Sequence, residues 1–375
     1  MPPAEQNNEV MDLPTVNGDR PGVRNDIKKR SEKLSAGDLS IFCYQLSLIF
    51  KSGIPFLEGM HLFAEEMADS RFKKYAQKLY QDVFAGKDFH TSLEDLKVFP
   101  FYMVNMLAMA ETTGTLDSEL ERLSVYYDKS EKLKRRINNA ITYPAVLAIL
   151  MGGIILLLIL RILPIFHEIL ISIGGEIPPV TQALLNFSTA VRNNSITIMV
   201  VIVLIISAII ILSRTSPGRK IWDKFKVTAP FIRYINLKTL SARFSMGMSL
   251  LLKSGIAFDD ALGMAHNIIE NSYAAQKLDT CRNEIHSGSD ISDAFGKMGL
   301  FPALFVKMLQ TGYKTGEMEK AMAKISDIYE NEVDRYMNRV TSAIEPMLVI
   351  ILSIVVGIIL LAVMLPLISI MSSIG

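Results

Sequence analysis

The spacing of hydrophobic positions along this chain predicts helices that run from soluble into membrane character, and does so twice. From Leu39 to Phe50 apolar residues recur every three or four positions, the spacing of an amphipathic helix. Similar segments follow near 56–68, 71–85, 91–96 and 101–112, and a long charged helix runs from about Leu116 to Asn139. No segment alternates with period two for long enough to predict a strand. The pattern then turns continuously apolar in three windows: Ala145 to about Ile165, Ile196 to Leu212, and Met347 to about Ile370. Runs of about 18 or more apolar residues are the length a membrane-spanning helix needs, and the middle window, at 17 residues, is the shortest of the three.

The polar punctuation of this pattern repeats. Lys51-Ser52-Gly53-Ile54 returns as Lys253-Ser254-Gly255-Ile256, 202 positions on. The same offset carries Phe99-Pro100 to Phe301-Pro302, Thr113-Gly114 to Thr315-Gly316, Tyr127 to Tyr329, Pro144 to Pro346 and Pro164 to Pro366. Glycine and proline mark turns and breaks, so an ungapped register of both indicates one duplicated unit. The expected fold is an all-α membrane protein: two tandem homologous cytoplasmic bundles of about six helices each, with three transmembrane helices.

Charge orients this arrangement. Lys129 to Arg136 form a basic cluster just before the first apolar window, and Arg214, Arg219, Lys220, Lys224, Lys226, Arg233, Lys238 and Arg243 follow the second with only Asp223 against them. The segment between the windows is poor in Lys and Arg, so the positive-inside rule places it outside. The resulting layout is a disordered cytoplasmic tail at 1–35, a first module at 36–143 and a first span at 144–165. A periplasmic segment at 166–195 leads to the second span, 196–212. A second cytoplasmic module at 213–345, a third span at 346–371 and a periplasmic C-terminus at 372–375 complete it. The first 35 residues are polar and contain no apolar signal-peptide core.

Composition narrows the function. Half of the 375 residues are hydrophobic and 21% are charged, with a net charge of +1, so no bulk electrostatic argument points to nucleic acid. There is no phosphate-binding GxxxxGK[ST] loop, no GxGxxG, no HExxH and no GxSxG. The five histidines are isolated in sequence, and Cys43 and Cys281 are neither repeat-equivalent nor part of a CxxC, which predicts buried free thiols. The residues therefore indicate no enzyme, no cofactor and no metal. Arg161 and Glu345 sit near span ends, where their side chains reach the interface. Gly152, Gly153 and Gly357 offer small surfaces for helix contact within the membrane.

Lys-Ser-Gly-Ile, Phe-Pro, Glu111-Thr-Thr-Gly-Thr-Leu116, and the stretch Arg136-Ile-Asn-Asn-Ala-Ile-Thr-Tyr143-Pro144 leading to Leu163-Pro164 together resemble the type II secretion system F family, over about residues 36–375. The second copy carries Ile344-Glu345-Pro346 and Leu365-Pro366 at matching places. The resemblance implies a platform protein of the bacterial inner membrane, in type IV pilus biogenesis or type II secretion. Its implied partners are a cytoplasmic hexameric assembly ATPase, pilin or pseudopilin subunits, other inner-membrane assembly proteins and further copies of itself in a homo-oligomer. The region preceding the first module is shorter than in the general secretion and twitching-pilus branches. The second copy has Tyr313 where the first has Glu111, so a carboxylate before the Thr-Gly turn occurs in one half only.

The residues expected to shape docking faces or module geometry are Gly53, Glu111, Gly114, Gly255 and Gly316 in the turns, and Tyr143, Pro144, Glu345 and Pro346 at the membrane boundary. Plain helix capping is the simpler account of the turns. Pro144 and Pro346 are expected to mark where the amphipathic helix enters the membrane, at a helix start, because proline is tolerated in a first helical turn and costly in mid-helix. The rival functions are a small transporter or channel subunit, which needs polar groups in mid-span, and a membrane-anchored scaffold with other partners.

Overall fold

The structure, a computed structural model, describes residues 34–66, 70–172, 179–194, 215–269 and 271–374, with isolated positions between 197 and 207. Most of the predicted second span and nearly all of the predicted tail lie outside the described residues. Among those described, every regular element is a helix.

The first half contains α1 (Ala36–Lys51), α2 (Phe56–Glu66), α3 (Ser70–Phe84), α4 (Phe89–Leu96), α5 (Phe101–Thr113) and the long α6 (Leu116–Leu157). A π turn at Leu158–Ile162 joins α6 to α7 (Leu163–Ser172), and α8 follows at Pro179–Asn193. The second half begins with α9 (Ser216–Thr228), which has no described counterpart before α1. It continues with α10 (Pro230–Lys253), α11 (Phe258–Ile268), α12 (Ser272–His286), α13 (Ile291–Met298), α14 (Ala303–Thr315) and α15 (Met318–Ile374).

The duplication seen in the residues is repeated in the backbone. Gly53 and Gly255 have φ of 78° and 81°, and Gly114 and Gly316 have 70° and 72°. Lys97 is the one non-glycine residue described with positive φ, at 55°, and its counterpart is Gly299 at 66°. The second copy thus has the residue that adopts this left-handed cap without strain, and the first does not.

The buried cores correspond as well. Phe42, Leu46, Leu107, Leu120, Leu123 and Tyr127 match Phe244, Met248, Leu309, Met322, Ile325 and Tyr329, all buried. Where sizes differ, they compensate. Phe63 and Phe89 of the first half become Ala265 and Ile291, while Leu93 and Met103 become Phe295 and Phe305. Two aromatic rings leave and two arrive, which keeps core volume nearly constant while moving its bulk. In the second half Phe244, Phe295, Phe301 and Phe305 consequently form one ring cluster, with Phe301 and Phe305 stacked 4.2 Å apart.

In the first half α1 lies along the long α6, and in the second α10 lies along the long α15. Ser40 Oγ on α1 donates to the Ser124 carbonyl of α6 at 3.0 Å. In the antiparallel α10–α15 pair, the rings of Tyr234 and Tyr336 lie 5.1 Å apart and Lys238 pairs with Glu332. The long helices α6 and α15 run parallel. Lys129 pairs with Asp327 at 3.2 Å and Arg136 with Asp334, both at a separation of 198 positions.

Two helices, Leu116–Ile162 and Met318–Leu361, carry stretches long and apolar enough to cross a membrane, and only 6% of each stretch is buried. Such exposure fits a lipid-facing helix and not a core helix. These stretches continue the helices of the two bundles without a break, which corrects the expectation that the prolines start helices. Pro144 lies inside α6 and Pro346 inside α15. An interior proline removes one backbone donor and frees the carbonyl four residues earlier, here that of Ala140. The Thr341 hydroxyl of α15 lies 3.5 Å from this carbonyl and 3.0 Å from the Met337 carbonyl of its own helix. A hydroxyl on a neighbouring helix is one of the groups that satisfies a proline-freed carbonyl near a bilayer, so the helix continues.

Candidate functional site: turns and junction between the halves

The two copies of the Lys-Ser-Gly turn converge on α6 by different routes. In the first, Lys51 Nζ meets Glu121 Oε2 at 2.6 Å, and the Ser52 hydroxyl donates to its own turn at the Ile49 carbonyl. In the second, Ser254 Oγ donates across the junction to Glu119 Oε1 at 2.7 Å. Glu119 is 4% exposed, and Arg122 donates to its other oxygen at 3.1 Å. A buried carboxylate requires such partners, because burying its charge without them costs several kcal/mol. The motif is therefore a tight turn in both halves and a contact between halves in one. Phe101 and Met109 of α5 face Ile256, Asp260, Met264 and Arg282 across the same junction, around a groove of about 510 Å³.

Glu111 binds an element of its own half. Its Oε1 accepts from the Phe89 amide at 2.7 Å, and its Oε2 accepts from the His90 amide at 3.0 Å and lies 2.7 Å from His90 Nδ1. It thus caps α4 from a distance, in place of Asp88, which makes no side-chain cap bond. In the second half Asp290 caps α13 itself, accepting from the Ser292 amide at 2.8 Å. The hydrogen bonds from Ser292 hold the Asp290 carboxyl below its ordinary pKa. Tyr313 therefore has no capping role to fill. This exchange of caps could be anticipated only by knowing which helix Glu111 reaches, which its sequence position does not disclose.

Gly114 and Gly316 end α5 and α14 in matching turns, in which the Thr115 amide donates to the Ala110 carbonyl at 2.8 Å and the Glu317 amide to the Gly312 carbonyl at 2.9 Å. Tyr143, Glu345 and Pro346 are exposed and Pro144 is buried, where α6 and α15 become apolar. The singled-out residues thus form two regions, the junction turns and the membrane boundary. Helices α6 and α15 run from one region to the other. A Cβ placed on Gly152, Gly153 or Gly357 would meet nothing, so these small surfaces are open among the described residues.

The histidines are less isolated than their sequence positions indicate. His61, His90, His266 and His286 each meet a carboxylate, with distances from 2.7 Å at His90–Glu111 to 3.6 Å at His61–Glu65. No group of three or more His, Cys, Asp or Glu placed to hold a metal occurs among the described residues. Cys43 and Cys281 are free and buried, as expected.

The family described as "Type II secretion system (T2SS), protein F" matches residues 42–164 and 244–366. The chain belongs to this family. The two matched segments are offset by 202 positions, the register of the Lys-Ser-Gly-Ile repeat. The chain is also similar to the type IV pilus assembly protein PilC of Myxococcus xanthus, at 30% identity over 98% of this chain and 91% of that protein. It is 30% identical to PilC of Thermus thermophilus over 90% of this chain and 84% of the relative. The type II secretion system protein F of Vibrio cholerae is 26% identical over 89% of this chain and 82% of its own length. Family membership and the two exposed apolar helices make this an inner-membrane protein.

Proposed function

We propose that this protein is a non-enzymatic platform that couples a cytoplasmic hexameric assembly ATPase to the polymerisation of pilin or pseudopilin subunits. The observation that carries this reading is the family match in two copies, each reaching from a soluble bundle into a membrane-length helix. Names of relatives from both pilus assembly and secretion support a role in such machinery. A subunit that transmits motion needs stiff continuity between its soluble and membrane parts. Helices α6 and α15 supply it, because neither breaks at its proline. The proposed topology has three spans, with the N-terminus and both modules in the cytoplasm and the C-terminus in the periplasm. Working as a homo-oligomer, the platform packs its open glycine surfaces against spans of a second copy or of a pilin.

The test is a mild-detergent pull-down of the tagged protein from its native host, with every co-purifying protein identified. Recovery of an assembly ATPase and a pilin-like subunit supports the platform reading. Recovery of neither, while other membrane complexes survive the same extraction, counts against it and favours a transporter subunit or an unrelated scaffold.

A further inference from the structure

Helix α9 has no described counterpart in the first half, and its two faces differ. One face is tied down. The Asp223 carboxylate accepts from the Ser272 amide at 3.0 Å and the Ser272 hydroxyl at 2.8 Å, and Asn271 Nδ2 donates to the Asp223 carbonyl at 2.9 Å. Val227, one turn on, is buried, and Asn236 of α10 holds the Lys226 carbonyl at 2.9 Å. The other face is apolar and open: Ile221 is 67% exposed, Trp222 46% and Phe225 52%, with the two rings stacked 5.8 Å apart. At 100° per residue these three side chains cover an arc of about 100°, with Asp223 and Val227 roughly opposite. Lys224 and Lys220, both exposed, lie on the Ile221 side of the arc, about 60° and 100° beyond Ile221, and Lys224 Nζ sits 5.9 Å from the centre of the Tyr273 ring.

Chain connectivity places this face. The segment between the predicted second span and Ser216 is residues 213–215, and three residues reach no more than about 10 Å. At its far end α9 leads into α10, whose Tyr234 ring lies 5.1 Å from that of Tyr336 of α15, ten positions before Pro346. At 1.5 Å per residue, that is about 15 Å from the apolar half of α15. Trp and Tyr concentrate at this level of a membrane protein, and basic residues there meet anionic headgroups.

We propose that the Ile221–Trp222–Phe225 face of α9 lies in the cytoplasmic headgroup layer, with Lys220 and Lys224 binding anionic phospholipid. The occupant is lipid because the face is amphipathic in the manner of an interfacial helix, apolar at its centre and basic at its edge. It thereby fixes the second module to the bilayer through a side-chain face, besides α15 and the span that precedes α9. The proposal rests on residues 196–212 being a span.

Trp222 is the only tryptophan in the chain, so its fluorescence reports this face alone. The full-length protein is reconstituted into phosphatidylcholine vesicles with and without phosphatidylglycerol, and with acyl chains brominated near the headgroup end. The expected result is blue-shifted emission, weak quenching by aqueous iodide and loss of more than half of the emission to the brominated lipid. Phosphatidylglycerol strengthens the lipid quenching, and the double variant Lys220→Glu/Lys224→Glu loses that dependence. Solvent-like emission with full iodide quenching overturns the proposal. So does shielding from iodide without bromolipid quenching, which would place a second copy or another protein on the face. A Ser216→Cys variant labelled by an impermeant maleimide, from each side of the vesicle in turn, tests the orientation of the span separately.

Discussion

Ser254 and Glu119 stand 135 positions apart in the chain and join its two halves through a hydrogen bond of 2.7 Å. Ser254 is the repeat counterpart of Ser52, whose hydroxyl closes its own turn. Duplication supplied the same turn twice, and one copy became an internal contact. The acceptor makes the difference, since Glu119 is buried at the start of α6 and its repeat counterpart is Ala321.

Replacing Ser254 with alanine leaves Glu119 with Arg122 as its remaining hydrogen-bond donor. Losing a hydrogen bond to a buried charged group costs about 1.5–3 kcal/mol. Ser52→Ala, at an exposed turn, is expected to stay within about 0.5 kcal/mol of the parent. Thermal unfolding of the purified protein should therefore show a lowered midpoint for Ser254→Ala and little change for Ser52→Ala. Equal midpoints for the two would mean the junction contact contributes nothing.

The exchanged caps give a reciprocal expectation. Glu111→Ala should destabilise the first half by about 1–2 kcal/mol, as loss of a helix N-cap does, while Asp88→Ala should be nearly neutral. In the second half the order reverses: Asp290→Ala should destabilise and Tyr313→Ala should not weaken the α13 cap. Because Asp290 has a folded pKa below its ordinary 3.8, its contribution is full above that value and fades as pH falls through the folded value. Hydrogen exchange at the Phe89, His90 and Ser292 amides, compared across the four variants, reads each cap directly.

Burial pushes the Cys43 thiol far up and the Cys281 thiol up to about 12, from an ordinary value of 9.0. The thiolate is the reactive form, so neither should be alkylated by iodoacetamide at pH 8 while the protein is folded. A folded pKa above the unfolded one means that stability is fully present below about pH 9 and is lost as pH rises towards 12. Mass spectrometry after alkylation should find no adducts under native conditions and two in denaturant. Rapid native labelling of Cys43 would contradict the packing of the first core.

Much of this architecture is legible in the sequence. The repeat register, the helical segments and two of the apolar windows follow from periodicity and from Gly and Pro placement, which are local properties. What stayed hidden depends on neighbours distant in sequence. The roles of Glu111 and Ser254 are set by Phe89, His90 and Glu119. The helix-start reading of the prolines fails for the same reason. Local rules put Pro144 at a helix start, but the Thr341 hydroxyl that lies by the freed Ala140 carbonyl is 201 positions away. The exposed face of α9 was visible only as a run of basic residues, because its aromatic members look ordinary until their burial is known.

The parallel register of α6 and α15 is open to a direct check. Thr341 of α15 approaches Ala140 of α6 where Pro144 has removed a backbone donor. The paired substitution Ala140→Cys with Thr341→Cys should form a disulfide readily under mild oxidation in the membrane, within a single chain. The native thiols should not interfere, since both are buried. Moving the second cysteine by one residue, to Ser342→Cys, turns it by about 100° around the helix and should abolish most cross-linking. If α6 and α15 transmit motion as one stiff pair, the disulfide should leave fibre assembly intact, because it fixes a contact already made. If the two helices slide or separate during the working cycle, oxidation should stop assembly and reduction should restore it. Efficient cross-linking at position 342 and none at 341 would show a different register between α6 and α15.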